Sequence, residues 1–119
     1  MATRQHEDAT VIVVAGEVDA ANAVVVADCA APLIHSGARL IFDLSRVEFL
    51  GSEGFVVLEQ LAARCAVADA HQVVVASPAV ARLLRICDSG GALTTAGTVD
   101  AAFAVLRGHP RLSLVSSAR

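Results

Sequence analysis

Leu40-Ile41-Phe42-Asp43-Leu44-Ser45-Arg46-Val47-Glu48-Phe49-Leu50-Gly51-Ser52-Glu53-Gly54-Phe55 carries the chain from one periodicity into another. Its first part, with Arg39 ahead of it, is a short apolar run to Leu44 of the kind that a strand buried on both faces requires. Ser45 to Gly51 reads as a loop. Beyond it Phe55, Leu58, Ala62 and Cys65 recur at spacings of three and four, with Leu61 beside them. Glu59, Gln60 and Arg64 fall on the opposite side, so the spacing predicts an amphipathic helix over 53–66.

The same alternation continues outward. Thr10-Val11-Ile12-Val13-Val14-Ala15 is β-branched and apolar, a strand that Gly16 should stop. Asp19 can cap a helix running from Ala20 to about Ala31, with Val26, Cys29 and Ala30 on one side. Pro32 should kink or end that helix and Gly37 should close it. Gln72 to Ala76 is a third strand. Ser77 caps a short helix from Ala79 to Ile86, with Pro78 at its start, where a missing N–H leaves no helical bond unmade. Gly90-Gly91 reads as a turn, Leu93 to Ala96 as a weak strand, and Val99 to Leu106 as a last helix capped by Thr98 or Asp100. Strands separated by helices imply parallel pairing with right-handed crossovers. The expected fold is α/β, a mostly parallel sheet of four to five strands with about four helices. Arg4 to Glu7 can add an edge strand, and residues 109–119 should form a frayed tail.

The chain of 119 residues has the length of a single domain, and no linker or repeat divides it. Its mean hydropathy of +0.64 is high. Yet apolar runs such as Val11 to Ala15 fall far short of the ~20 residues a membrane span needs. The polar N-terminus lacks a signal-peptide centre, so the expectation is a cytoplasmic protein without membrane insertion. A net charge of -3 and 3% aromatic residues exclude a phosphate-tracking or base-stacking nucleic-acid surface. All 9 basic residues are arginine. A phosphate-loop lysine, a Schiff base and a lysine general base are thereby excluded. Cys29, Cys65 and Cys87 are widely spaced and read as buried, reduced thiols.

No catalytic constellation emerges. A phosphoryl receiver would use an aspartate such as Asp43 near a strand end, but also a lysine that the chain lacks. His6, His35, His71 and His109 stand singly, without metal-ligand spacing. Gly51-Ser52-Glu53-Gly54 is not a nucleophile elbow, because that turn needs Gly-x-Ser-x-Gly. The residues therefore predict neither enzyme, metal nor cofactor.

Two segments remain: Gly16-Glu17-Val18-Asp19, after the first long strand, and the stretch from Leu40 to Phe55. Together they resemble the STAS family, the domain of bacterial anti-sigma factor antagonists and of the cytosolic ends of sulfate transporters. That family opens its first helix with a Gly-Glu-(Leu or Val)-Asp turn. Its second strand reads Asp-Leu-Ser-x-Val-x-Phe before an Asp-Ser-(Ser or Thr)-Gly turn. The resemblance covers about residues 7–108. It implies a STAS-like fold and a protein that binds an anti-sigma factor, itself a Ser/Thr kinase with an ATPase fold, and so releases a sigma factor. Phosphorylation at the helix start would add about -1.5 to -2 charge and break such a complex.

The chain departs from the pattern at that switch. Gly51 stands at the aspartate position, Ser52 at the first serine, and Glu53 at the phosphoacceptor, where it cannot be phosphorylated. Glu53 is either a permanent, weakened stand-in for phosphate or a favourable first-turn acid. Ser52 is the natural N-cap, with a shifted phosphoacceptor as its other reading. Gly54 should allow close backbone approach. The resemblance places partner binding on Arg46, Glu48, Gly51, Ser52, Glu53, Gly54, Phe55 and Val56, with Phe55 or Val56 as exposed apolar contacts. Gly16, Glu17 and Asp19 form the turn and cap, and Asp43 and Ser45 hold the loop by hydrogen bonds. Valines 24 to 26 offer a face for a homodimer. Two other readings stay open: a STAS module serving a stress-signalling scaffold or a transporter ATPase, and a small nucleotide binder.

Overall fold

The computed structural model describes residues 1–6, 9–88, 91 and 93–108. The β-branched runs form a five-stranded sheet in the order β1 (Ala2–His6), β2 (Ala9–Val18), β3 (Arg39–Leu50), β4 (His71–Ala76) and β5 (Thr95–Ala96). β2 to β5 are parallel, and β1 adds to the edge antiparallel, Arg4 opposite Val11. Helices α1 (Ala23–Ala30), α2 (Ser52–Ala68) and α3 (Pro78–Cys87) make the crossovers, and α4 (Val99–Arg107) follows the last strand. The predicted edge strand and the helix cap at Thr98 are both present, Thr98 Oγ1 accepting from the Ala101 N–H at 3.0 Å.

Both faces of the central strands are covered, which is why they carry apolar residues without alternation. Ile12, Val14, Leu40, Phe42, Leu44 and Val74 face one core with Val26, Leu58, Leu61 and Val80 from α1, α2 and α3. Val11, Ile41, Val73 and Val75 face the other, covered by Ala102, Phe103 and Leu106 of α4. Each fully buried side chain of this size contributes about 1.5–3 kcal/mol. Arg39, itself buried, donates from its guanidinium to the Leu106 carbonyl and ties the start of β3 to the end of α4.

Several boundaries differ from the sequence reading. Gly16 does not stop its strand: it takes φ +89 within β2, which runs on to Val18. The segment 45–50 is not a loop but the second half of β3. It pairs with Ala15 to Val18 through two irregularities, each placing one extra residue in β3. The first lies between the pairs Val13–Asp43 and Ala15–Arg46, the second between Gly16–Val47 and Glu17–Phe49. Such bulges break the two-residue alternation that marks a strand in sequence. α1 begins at Ala23 rather than Ala20 and ends at Ala30, where Pro32 enters a single 3-10 turn, Ala31–Leu33. α3 is one residue longer at each end than expected, and β5 holds only Thr95 and Ala96. Of the three cysteines only Cys65 is buried; Cys29 is half-buried and Cys87 exposed. Gly91 adopts φ +67, whereas Gly90, Glu7 and the expected tail 109–119 lie outside the described residues.

Candidate functional site

Pairing with β4 ends at Leu44, so the second half of β3 leaves the sheet accompanied only by the end of β2. This two-stranded ribbon leads directly into α2. On its far side the Val47 carbonyl accepts a hydrogen bond from Ser77 Oγ at 2.7 Å. Ser77 Oγ in turn accepts from the Val80 N–H at 3.1 Å and so caps α3. One buried hydroxyl thus joins the ribbon to a helix start. At the first bulge Asp43 Oδ1 accepts from the Ser45 N–H at 3.1 Å and the Ser45 hydroxyl at 2.6 Å. Those bonds lie within β3, not at its end.

The helix start is built differently from its expected form. The N-cap of α2 is Gly51, with φ -78 and ψ 173, and no side chain caps the helix. Ser52 is the first helical residue, one position past the cap. The Gly51 carbonyl accepts from the Phe55 N–H at 3.1 Å, and the Gly51 N–H donates to the Val18 carbonyl at 2.8 Å. Glu53, in the first turn, is exposed. Gly54 is buried, and a Cβ there would collide with Leu50 Cδ1 and lie 2.9 Å from Val18 Cγ1. The absent side chain lets α2 settle onto the β2–β3 ribbon.

Phe55 is a correction: it is 9% exposed and belongs to the core, with no surface to offer a partner. The exposed aromatic is Phe49, at 52%, and Val56 stands at 44%. Phe49 was hidden in sequence because a supposed loop carries no facing. With the bulge at Glu48, Val47 and Leu50 both turn inward, and Phe49 between them is left outside. Arg46, Glu48, Ser52 and Glu53 are exposed, whereas Gly51 is buried.

The Gly16–Asp19 turn lies beside this surface, since Val18 pairs with Leu50. Asp19 is not the N-cap of α1; Asn22 holds that position without a side-chain cap bond. Asp19 Oδ1 instead accepts from the Ala21 N–H at 3.0 Å, and Asn22 Oδ1 accepts from the Asp19 N–H at 2.9 Å. Asn22 also donates to the Glu17 carbonyl at 2.8 Å. The two side chains lock the turn reciprocally and delay the helix. Val26 is in the core, which leaves Val24 and Val25 exposed from the expected dimer face. The surface therefore combines exposed apolar groups with Glu17, Glu48 and Glu53, and Arg46 as its cation. Among the described residues no cluster of three or more His, Cys, Asp or Glu could hold a metal ion, and no helix is long and apolar enough to cross a membrane.

The STAS domain profile matches residues 1–102. The chain belongs to the STAS domain family. Solved structures agree with that assignment. An anti-sigma factor antagonist from Mycobacterium paratuberculosis is 25% identical, with a TM-score of 0.77 over 89% of this chain and 92% of that one. A candidate anti-sigma factor antagonist from Thermotoga maritima shares 14% identity at a TM-score of 0.78, covering 89% and 93% of the two chains. The anti-sigma factor antagonist SpoIIAA in its unphosphorylated form shares 20% at 0.70, covering 90% and 96%. No curated protein sequence matches the chain. The mostly parallel five-stranded sheet and four helices of this STAS domain are the fold expected from its alternating strands and helices.

Proposed function

We propose that this STAS domain is an anti-sigma factor antagonist that binds an anti-sigma factor of the Ser/Thr kinase type and thereby frees a sigma factor. The docking surface is the ribbon of β2 and β3 with the first turns of α2. The reading draws on the 25% identity to the Mycobacterium paratuberculosis antagonist across 89% of this chain. The observation that carries it is the exposed, rigidly seated helix start, apolar at Phe49 and Val56 and acidic around them. Exposed apolar groups supply affinity, and the charge pattern selects the partner.

At this helix start Glu53 occupies the place a phosphoacceptor would need, and a single carboxylate carries less charge than a phosphate. The chain therefore binds its partner constitutively. Glu53→Ser supplies an acceptor hydroxyl, so incubation with the anti-sigma factor and ATP should phosphorylate that variant and release it. The parent should stay bound, with Ser52 unmodified. Phosphate on Ser52 of the parent would show that the switch has moved by one residue. Unchanged affinity in both Glu53→Ser and Glu53→Ala, without phosphorylation, would remove position 53 from the switch. Binding to a transporter ATPase or a signalling scaffold instead of an anti-sigma factor would overturn the proposed partner.

A further inference from the structure

Three of the four phenylalanines, Phe42, Phe55 and Phe103, are buried, but Phe49 is half exposed. Its surroundings are acidic on two sides. Glu17 is its cross-strand partner in the register of β2 and β3, and is itself exposed. On the other side Glu53 and Phe49 close over the buried Gly51. A Cβ there would stand 3.3 Å from Glu53 Oε1 and 3.4 Å from Phe49 Cε2. The carboxylate and the ring edge thus converge over one glycine. Among the described residues neither the Glu17 nor the Glu53 carboxylate has a salt bridge or hydrogen bond. The cation of this face, Arg46, is set in register with Ala15, on the other side of the second bulge.

We propose that this face takes an arginine side chain of a partner protein, its guanidinium lying on the Phe49 ring and bonding to Glu53, with Glu17 closing the opposite side. The inference rests on the docking surface proposed above and names the group that the partner brings to it. A half-exposed aromatic ring attracts a cation through its quadrupole, and carboxylates beside it complete the charge. Arginine fits better than lysine because its planar fork can stack on the ring while its edge donates to a carboxylate. Anionic ligands would meet like charge here. Gly51 matters because a side chain at that position would press on both the carboxylate and the ring.

The test uses the full chain and a peptide probe, so that it does not depend on the anti-sigma factor. Acetyl-Leu-Arg-Leu-amide is titrated in by NMR, alongside the same peptide carrying citrulline, an uncharged isostere, in place of arginine. The arginine peptide should shift the Phe49 ring protons and the Glu53 amide, and the citrulline peptide should not. Phe49→Leu and Glu53→Gln should each weaken the response about threefold, as expected for an exposed cation–π pair. Both sites are exposed, and the spectrum itself reports that each variant is folded. Equal responses to the two peptides, shifts centred elsewhere, no response, or unaltered binding by both variants would each overturn the proposal. An anti-sigma factor that binds while the peptide test fails removes the arginine but leaves the docking surface. A successful peptide test with no anti-sigma factor bound does the reverse.

Discussion

At Gly54 the helix can carry only a hydrogen, because Leu50 and Val18 already occupy the space of a methyl group. Gly54→Ala should cost about 1–3 kcal/mol, the range for overpacking a close contact. Urea denaturation measures it, and a neutral outcome would mean that α2 shifts freely on the ribbon. Ser77→Ala removes the α3 cap and leaves the buried Val47 carbonyl without its donor. A loss of about 1–3 kcal/mol is expected from the two effects together. Burial pushes the Cys65 thiol above its ordinary value, with Arg64 opposing more weakly. The folded chain holds that proton more tightly than the unfolded one. Its contribution is therefore complete below the ordinary thiol pKa and is lost as pH rises through the raised value. Cys65→Ala should show a smaller alkaline loss of stability than the parent in denaturation curves at neutral and high pH. The tight seat of Gly54 was legible from its place in a motif. Phe49 was not, since its exposure depends on a bulge formed with a distant strand.

Among the elements, α2 was the most legible: Leu58, Leu61 and Cys65 are buried and Glu59, Gln60 and Arg64 exposed, as their spacing requires. The second half of β3 was the least legible. Two extra residues destroy its alternation, and polar groups such as Ser45, Arg46 and Glu48 imitate a loop. The start of α1 is not legible in sequence, because Asp19 and Asn22 bond within the turn and the helix begins only at Ala23. β1 is exposed at all five positions, yet it covers the edge of β2 with a register of five pairs. Removing residues 1–6 would bare the β2 edge, a long apolar strand. Light scattering should then show the truncated chain self-associating at concentrations where the parent does not. Equal scattering would mean that the edge needs no cover.

For the molecule as a whole, the sheet places the helix-covered cores on both faces and the proposed docking surface at one end of β2 and β3. The alternation of β-branched and alanine-rich segments made that architecture readable, because the central strands β2, β3 and β4 had to be buried on both sides. The proposed partner was not readable from periodicity; it came with the resemblance carried by the Gly16–Asp19 turn and the Leu40–Phe55 stretch. The most direct measurement adds the chain to a preformed complex of the anti-sigma factor and its sigma factor and follows the mixture by size-exclusion chromatography. Sigma factor released in proportion to the chain added, with the anti-sigma factor moving into a complex with it, is the predicted result. A sigma–anti-sigma complex that stays intact at saturating amounts of the folded chain would contradict it.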